Sequence, residues 1–445
     1  MRGGLLCPVL LAGALAACGS EPDTAQFGAN PDLPEQKSRL LPAMEIAELT
    51  AWAGAMPKIL PGFTIVPVAT GLKIPRQTLV LPNGDILVAE GSGGNEPKLR
   101  PKDIVASWIK ASGKADVKGG NRITLLRDTN GDGRADVRSV FIGGLNAPYG
   151  LAFAGGALFV ANQDSLMRYP YIDGQTRITS PGTKLTDLPS QINHHWTKAM
   201  AASADGTNLY VGIGSNSNIT ERGMAAEADR AMVWEIDAQT GAHRPYATGL
   251  RNPTALAFQP GTGQLWSAVN ERDELGANLV PDYITSVRPG GFYGWPYSYW
   301  GQHIDPRVMP RNPAKVASAI RPDYSLGSHV APLGLAFSSP AMGPALAEGV
   351  FVGEHGSWNR RDLAGYKVVF VPFRGGRPAG NPVDFVTGFL NADGKARGRP
   401  VGVTLDPRGA LLIADDVSQT VWRVAPVRAL IAPAPPATTA PSRPH

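Results

Sequence analysis

Six times along this chain, two short runs of aliphatic and β-branched residues flank a turn rich in Pro, Gly and Asp. Each pair predicts a β-hairpin, because strand formers stand on both arms and turn formers stand between them. The six predicted hairpins span residues 79–90, 151–162, 199–212, 256–270, 335–354 and 403–415. A further apolar strand follows four of them, at residues 123–126, 232–236, 368–371 and 421–424. This repetition of short strands predicts an all-β fold, a six-bladed β-propeller around a central channel.

Polar residues stand just before the first strand of each predicted hairpin. In a propeller these positions converge on one face of the channel, and the chain returns to that face after each hairpin. They include Arg76, Asn146, His194, His195, Arg251, Asn252, His329, Arg397 and Arg399. A ring of cations at a channel mouth attracts an anionic ligand, and a histidine beside it can act as a base. The alternative is that these are ordinary solvated turn residues.

The composition supports one large all-β domain, and the charge and glycine patterns argue against a nucleic-acid partner and nucleotide cofactors. The chain has 445 residues, of which 43% are hydrophobic, with 52 Gly and 40 Pro. Such a content of turn formers suits short strands better than helices. A net charge of +5 without a run of Lys and Arg argues against a nucleic-acid partner. The glycine-rich segments lack the GxGxxG and GxxxxGK contexts, which disfavours NAD, FAD and ATP.

Residues 1–17 predict a lipoprotein signal peptide. Arg2 precedes an apolar stretch too short to span a bilayer, and the stretch ends in Leu-Ala-Ala-Cys, which is similar to a bacterial lipobox. Cleavage before Cys18 would leave a lipidated cysteine. We therefore expect a protein of the bacterial periplasm that is attached to the membrane by its lipid anchor alone, and Gly19 favours the outer membrane.

The remaining chain divides into three parts. We expect a tether and N-terminal segment over residues 18–60, the propeller over 61–427 and a disordered Pro/Ala-rich tail over 428–445. Within the N-terminal segment, the composition of residues 43–55 predicts a helix that packs against the propeller.

One acidic loop predicts a structural calcium site. Oxygen-bearing residues alternate in the manner of the first two-thirds of an EF-hand loop, with glycines at the sharp turn. The predicted ligands are Asp128, Asn130, Asp132, the carbonyl group of Arg134, and Asp136. Ser139 stands where an EF-hand has its bidentate Glu. The alternative is a solvated turn.

Several segments together resemble the six-bladed sugar dehydrogenases that depend on pyrroloquinoline quinone (PQQ), the soluble glucose, aldose and sorbosone dehydrogenases. The segments that carry the resemblance are GLRNP at 249–253, NERD at 270–273, GGFYGWP at 290–296, EHGSWNR at 354–360 and RGR at 397–399. The NERD segment and HHWTK at 194–198 are most similar to the sorbosone dehydrogenase branch. The resemblance implies the same fold and a quinone-dependent oxidation of an aldose or sugar aldehyde.

The resemblance also implies roles for individual residues. His195 would be the base that removes the sugar hydroxyl proton, with His194 as the alternative, while a hydride passes from the anomeric carbon to PQQ. Arg251 and Asn252 would contact quinone and substrate. The carbonyl groups of Glu271 and Arg272 would hold a catalytic Ca²⁺. The remaining candidates for cofactor binding are Arg397 and Arg399 at its carboxylates, Asn359 or Arg360 in place of a family lysine, Lys198 in place of a family arginine, and Asn146.

Two other functions compete with this one. A Ca²⁺-dependent propeller lactonase or related hydrolase would leave the arginine ring without a task, and a non-catalytic binding lipoprotein would leave His195 without one. Since the chain has no CxxCH haem motif, a dehydrogenase of this kind needs a separate electron acceptor.

Overall fold

The computed structural model describes residues 26–37, 44–94 and 117–427. Six antiparallel sheets, each built on four strands, form the blades of a propeller. The blades are numbered in the chain order of their innermost strands, and the strands of each blade are given from the innermost outward. Blade 1 consists of Pro75–Val80, Ile86–Glu90, Arg122–Arg127 and Val137–Ile142; blade 2 of Gly150–Ala154, Ala157–Ala161, Ser165–Pro170 and Thr183–Asp187. Blade 3 consists of Met200–Ala202, Asn208–Ile213, Met232–Asp237 and His243–Thr248; blade 4 of Pro253–Phe258, Leu265–Val269, Pro281–Ser286 and Tyr324–Ser328. Blade 5 consists of Pro332–Phe337, Gly349–Glu354, Lys367–Arg374 and Val383–Thr387; blade 6 of Pro400–Leu405, Leu411–Asp415, Thr420–Pro426 and Phe63–Ala69.

The predicted six-bladed propeller is confirmed. Each predicted hairpin supplies the two innermost strands of one blade, and the four further predicted strands are third strands. The innermost strands of successive blades contact one another around the ring, and those of blades 6 and 1 also meet. Blade 6 takes its outermost strand, Phe63–Ala69, from the N-terminal side of the chain, with Val424 opposite Ile65.

The core lies between neighbouring blades. The second strands Ile86–Glu90, Ala157–Ala161, Leu265–Val269 and Leu411–Asp415 are buried along their whole length. A strand with a blade on each face has no solvent side, so its sequence is a continuous apolar run rather than an alternation. Leu87 and Val160, for example, share the apolar cluster between blades 1 and 2.

The predicted helix over residues 43–55 is wrong. The described part of this segment, residues 44–55, contains no helix. The Thr50 N–H donates to the Ala396 carbonyl (2.8 Å), and the Ala396 N–H donates to the Glu48 carbonyl (2.8 Å). Because the backbone pairs with the propeller, Leu49 and Trp52 can pack on the apolar cluster of blades 5 and 6.

Parts of the N-terminal segment extend the outer edges of the blades. Phe27–Gly28 pairs with the outermost strand of blade 4, and Lys58–Ile59 with that of blade 5. The predicted signal peptide, Cys18 and the predicted tail over 428–445 lie outside the described residues.

Few other elements occur in the described ranges. The short strands Ser298–Tyr299 and His303–Ile304 form a small hairpin, and Arg377–Pro378 pairs with the end of Lys367–Arg374. One short α-helix, Pro313–Ala317, and three 3₁₀ turns, Met224–Glu227, Pro340–Met342 and Pro344–Leu346, complete the structure. None of the described helices has the length and apolarity needed to cross a membrane.

Candidate active site

A polar cavity of about 530 Å³ opens on the face where the innermost strands begin. Its lining comes from loops of blades 1, 3, 4 and 5, and both kinds of loop that the hairpin pattern predicts on this face contribute to it. Its lining residues are Gly93, Gly94, His194, His195, Trp196, Arg251, Asn252, Asn270, Glu271, Asp273, Asp282, His329, Ala331 and Trp358. This volume is typical of a small-molecule site.

The ring of His195 is fixed in one tautomer by Ser215. Its Nδ1 lies 2.8 Å from the Ser215 carbonyl oxygen and 3.0 Å from Ser215 Oγ. Ser215 Oγ donates its own hydrogen to the Ser217 carbonyl (2.6 Å), so it can only accept from the ring. Nδ1 therefore carries the proton. Nε2 is left as an acceptor, and no described residue hydrogen-bonds to it.

Two buried residues with ionisable side chains, Arg230 and Glu227, hold the segments that carry His195 and Ser215. Arg230 Nη2 donates to the His195 carbonyl (2.8 Å), and Arg230 Nε donates to the Gly214 carbonyl (2.7 Å). On the other side of the loop, the Ser217 hydroxyl donates to Glu227. These bonds fix the position of the imidazole before any ligand binds.

Both neighbouring histidines are held neutral. Burial lowers the pKa of His195 well below its ordinary value, and His194 and Arg251 lower it further. Burial, with the charges of Arg251 and Arg222, lowers the pKa of His194 to about 3. Their rings meet edge to face with centroids 4.4 Å apart. Both line the cavity, and His195 is the one whose acceptor nitrogen the hydrogen bonds define.

The Arg251 guanidinium lies on the cavity wall and is held by backbone and amide oxygens. Nη1 donates to the Glu271 carbonyl (2.6 Å), and Nη2 donates to Asn218 Oδ1 (3.0 Å). Nη2 also lies 3.6 Å from Asp273 Oδ2. These bonds fix the planar group, so it is preorganised for a ligand on the cavity side.

Three buried oxygen atoms of the lining have no hydrogen-bond partner among the described residues. They are Asn252 Oδ1, Asn270 Oδ1 and Glu271 Oε1. A methyl group on Gly214 would lie 2.4 Å from Asn252 Oδ1 and 2.5 Å from His195 Cβ. Glycine is therefore required for the close approach of these two side chains.

Glu271 and Arg272 take different positions. Glu271 lines the cavity, whereas the Arg272 side chain is completely buried behind it. Arg272 donates to the carbonyl groups of Pro296 (2.8 Å) and Ser298 (2.6 Å) and pairs with Asp305 (3.2 Å). Of this predicted calcium pair, only Glu271 therefore belongs to the lining.

Asp273, which follows them, is a centre of polar contacts on the cavity wall. Asn359 Nδ2 donates to Asp273 Oδ1 (3.0 Å), and His329 Nδ1 lies 3.4 Å from the same oxygen. His329 Nε2 lies 3.1 and 3.2 Å from the carbonyl oxygens of Gly276 and Leu279, so this nitrogen carries a proton. Burial opposes a charge on His329, but Asp273 outweighs it and raises the pKa of His329. Asn359, predicted as a cofactor ligand, thus bonds to Asp273 and is not part of the cavity lining.

The arginines predicted at the cofactor carboxylates do not line the cavity. Arg399 is buried and donates through Nε to the His355 carbonyl (2.8 Å) and through Nη2 to the Gly356 carbonyl (2.8 Å). The Arg397 guanidinium lies 5.9 Å from the ring centroid of Trp52, on the blade 5 and 6 cluster. Local sequence does not determine which way these loop side chains point.

Two other predicted cofactor residues are buried beside the cavity rather than in it. Lys198 Nζ donates to Asn193 Oδ1 (3.2 Å) and the Trp196 carbonyl (3.0 Å), and burial lowers its pKa well below the ordinary value. Arg360 Nη1 donates to the Ser328 carbonyl (3.3 Å). Both side chains hold neighbouring loop segments in place through these hydrogen bonds.

Asn146 and Arg76 also lie outside the lining. Asn146 is exposed, donates to Asp164 (2.6 Å) and accepts from Gln163 (2.8 Å). Arg76 forms a buried ion pair with Asp416 (2.6 Å). The predicted ring of cations is therefore only partly assembled around the cavity.

The predicted calcium ligands of the acidic loop form hydrogen bonds within the loop. Its oxygens accept bonds from N–H groups of the same loop, at 2.7 and 2.9 Å for Asp128, 2.9 Å for Asn130 and 2.8 Å for both Asp132 and Asp136. Arg134 supplies one of these donors. Within the described ranges, no group of three or more His, Cys, Asp or Glu could hold a metal ion. In this structure the loop is a hydrogen-bonded turn, and calcium binding by it stays a prediction.

Sequence reasoning did not select Ser215, Arg230 or Asp273. Asp273 belongs to the NERD segment, and its place directly after a second strand was a usable signal. Ser215 holds the His195 ring through its own carbonyl and hydroxyl oxygens, and Arg230 holds backbone carbonyl groups of other loops. Neither contact leaves a trace in the sequence pattern.

Comparison with known proteins identifies the family. The sequence profile described as TrAA12-like matches residues 115–291 and 310–426, which cover most of the propeller. The chain belongs to the TrAA12-like family. As a family member it is 30% identical over 233 residues to an uncharacterised protein of Borreliella burgdorferi, covering 52% of this chain and 60% of that protein.

Two further relatives of this TrAA12-like protein have named activities. It is 24% identical over 355 residues to a PQQ-dependent pyranose dehydrogenase of Coprinopsis cinerea, covering 70% of the chain and 44% of that enzyme. It is 23% identical over 261 residues to a PQQ-dependent sugar dehydrogenase of Hypocrea jecorina, covering 52% of the chain and 55% of that enzyme. The chain thus spans roughly half the length of these curated relatives.

Solved structures of similar fold agree. The calcium structure of a Trichoderma reesei enzyme of carbohydrate-active family AA12 superposes with a TM-score of 0.69 at 18% identity, covering 85% of this chain and 99% of that one. The PQQ domain of the Coprinopsis cinerea pyranose dehydrogenase superposes with a TM-score of 0.67 at 20% identity, covering 86% of this chain and 100% of that one. At these identities the likeness establishes the shared propeller fold.

Proposed function

We propose that this protein is a PQQ-dependent sugar oxidoreductase that oxidises an aldose or a sorbosone-like sugar aldehyde. The observation that carries the proposal is the His195 imidazole, held on the wall of a polar cavity with Nε2 as its acceptor nitrogen. A neutral histidine with a fixed tautomer suits the removal of a hydroxyl proton. Membership of the TrAA12-like family and the named activities of two relatives support the same reaction.

The cavity residues fit a quinone cofactor in part. The Arg251 guanidinium can meet a carboxylate of the cofactor, and the Asn252 amide stands next to it on the same wall. Arg397 and Arg399 would have to leave their present partners to contact it. We therefore assign the holding of PQQ to Arg251 and Asn252, and when bound the quinone supplies a two-electron acceptor for the substrate.

A bound Ca²⁺ is proposed at the same wall. Asn252 Oδ1, Asn270 Oδ1 and Glu271 Oε1 are buried oxygens without a partner among the described residues, and Ca²⁺ prefers such oxygen ligands. The Glu271 carbonyl, which the sequence resemblance implies as a ligand, already accepts a bond from Arg251 (2.6 Å). The side-chain oxygens are therefore the better candidates.

The protein residues have separate tasks in the proposed reaction. His195 Nε2 takes the proton of the sugar hydroxyl, and Ser215 stabilises the resulting imidazolium through Nδ1–H. Arg251 orients anionic groups of the bound molecules, and its own position is set by Asn218 and the Glu271 carbonyl. Trp196 and Trp358 supply apolar wall for a sugar ring.

The test is reduction of an artificial dye by the full-length protein, with PQQ and Ca²⁺ added together and singly, over a panel of aldoses and sorbosone. We expect activity that needs both additions, is abolished in His195→Ala and survives in His194→Ala. Loss in His194→Ala with retention in His195→Ala would move the base by one residue. Absence of both PQQ binding and activity in the wild type would refute the proposed function.

The proposed setting of this activity is the periplasmic face of a membrane, with Cys18 as the lipid attachment site. Its support is the N-terminal sequence alone. Electrons would leave to a separate acceptor protein, since the chain has no haem motif of its own.

A further inference from the structure

The Asp273 carboxylate lies in the same cavity as His195 and retains 15% side-chain exposure. It is surrounded by donors from three segments that are distant in sequence. Arg251 Nη2 lies 3.6 Å from Oδ2, His329 Nδ1 lies 3.4 Å from Oδ1, and Asn359 Nδ2 donates to Oδ1 (3.0 Å). Since Arg251 is cationic and the pKa of His329 is raised, the negative charge of Asp273 is compensated where it stands.

The backbone of Asp273 is fixed as well. Its N–H donates to Asn218 Oδ1 (2.8 Å), and its carbonyl accepts from Asn218 Nδ2 (3.1 Å). Arg307 Nη1 donates to the same carbonyl (3.0 Å). A carboxylate held in this way loses little conformational freedom when a ligand binds to it.

We propose that the Asp273 carboxylate binds a hydroxyl group of the sugar and thereby selects among sugars. The inference rests on the proposed function, which makes the ligand a polyol. An ionised carboxylate only accepts hydrogen bonds, and a sugar presents several hydroxyl donors. A site built to accept a hydroxyl hydrogen strongly disfavours an analogue that lacks that hydroxyl, because a buried polar group then loses its partner.

The experiment is a binding titration with the full-length protein in the absence of PQQ. The signal is tryptophan fluorescence, because Trp196 and Trp358 line the cavity. The probes are the sugars of the dye-reduction panel and a series of deoxy analogues that each lack one hydroxyl. Wild type and Asp273→Asn are compared, since the amide keeps the shape of the side chain and removes its charge.

We expect Asp273→Asn to weaken binding of the parent sugar by roughly tenfold or more. One deoxy analogue should bind to the wild type and to Asp273→Asn with the same affinity, because the hydroxyl that meets residue 273 is missing from both complexes. The inference would be overturned if Asp273→Asn weakened the binding of every analogue by the same factor, or weakened none. So would a wild-type protein that binds none of the sugars.

A matched control separates ligand contact from loop damage. Asp305 is buried between Arg272 and Arg307, behind the loop that carries Asp273, and does not line the cavity. Asp305→Asn should weaken all analogues alike if it weakens any. The same selective pattern in Asp305→Asn would overturn the assignment to Asp273. Asp273→Ser repeats the test if thermal unfolding shows that the amide variant is not folded.

The two proposals fail in different ways. Selective loss of sugar binding without any PQQ-dependent oxidation would reject the proposed function and retain Asp273 as a sugar ligand. PQQ-dependent oxidation, together with unchanged discrimination among deoxy sugars in Asp273→Asn, would support the proposed function and reject Asp273 as a sugar ligand.

Discussion

The Nδ1 nitrogen of His195 faces both acceptor oxygens of a single residue, Ser215, at 2.8 and 3.0 Å. A serine thus takes the position from which a carboxylate could hold a catalytic histidine. A carboxylate would raise the basicity of the ring, whereas the neutral serine leaves burial as the dominant influence. The imidazole is therefore a weak base that stays unprotonated in mildly acidic solution.

This arrangement predicts the acid limb of the pH profile. The pKa of His195 is lowered well below its ordinary value of 6.5. A lowered pKa keeps the base neutral as the pH falls, so kcat/KM for sugar oxidation should stay level through pH 6.5 and decline only at clearly lower pH. Dye reduction across the pH range measures this, and a midpoint at or above 6.5 would contradict it.

Substitution of Gly214 by alanine should impair the site directly. The new methyl group would meet Asn252 Oδ1 and His195 Cβ at about 2.5 Å. We expect kcat to fall at least tenfold and unfolding free energy to fall by about 1–3 kcal/mol. Gly143→Ala is the matched control, because its methyl group would meet only Val140, at 3.7 Å. Equal effects of the two substitutions would show that the close approach is not needed.

The buried Glu354 carboxyl should make the protein less stable as the pH rises. Glu354 is 2% exposed, and burial, reinforced by Asp384, raises the pKa of its carboxyl to about 8, from 4.5. A raised pKa means that the folded state favours the protonated form, so stability is lost as the pH rises from about 4.5 through about 8. Glu354→Gln removes this loss.

Thermal unfolding at several pH values checks this prediction. The melting temperatures of the wild type and Glu354→Gln should agree near pH 4, and the variant should be more stable at pH 9, by on the order of 5 kcal/mol. A difference that is constant with pH would contradict it.

Arg272 should matter for stability more than its neighbour Arg307. Both pair with the buried Asp305, but the side chain of Arg272 is 0% exposed and that of Arg307 is 20% exposed. Arg272→Met leaves a buried charge less compensated and should cost about 3–5 kcal/mol of unfolding free energy. Arg307→Met should cost less, because water can reach its position. Denaturant titration of both variants compares them, and equal losses would be the contrary result.

The lipid anchor has its own test. Cys18→Ala should prevent incorporation of labelled fatty acid and should move the protein from the membrane fraction to the soluble periplasmic fraction. Fractionation with and without the substitution measures both effects. Unlabelled wild-type protein would contradict lipidation.

The fold could be predicted from the sequence because each blade repeats a local signal. Strands such as Ile86–Glu90 lie between two blades, so burial on both faces produces an apolar run that is visible without the structure. The helix-forming composition of residues 43–55 led to a wrong prediction, because backbone pairing with Ala396 replaces helical hydrogen bonds there. Propensity is a weak signal beside such a tertiary contact.

The site could be predicted only as far as the face on which it lies. His195, Arg251, Asn252 and Glu271 come to the cavity, because the hairpin pattern brings their loops together. Arg399 comes to the same face but turns to the carbonyl groups of residues 355 and 356. Chain periodicity gives the position of a loop residue and not the direction of its side chain.

The outermost strand of blade 6, Phe63–Ala69, is made about 350 residues before its partner Thr420–Pro426. The propeller ring therefore cannot close until that partner strand has been made. Until the last blade emerges, the edge of Phe63–Ala69 has no partner in its own sheet, and such an edge can pair with another chain. The step that completes the molecule joins residues more than 350 positions apart, which makes it a slow, non-local event. Shielding of this early strand is a requirement of biogenesis that the finished ring conceals.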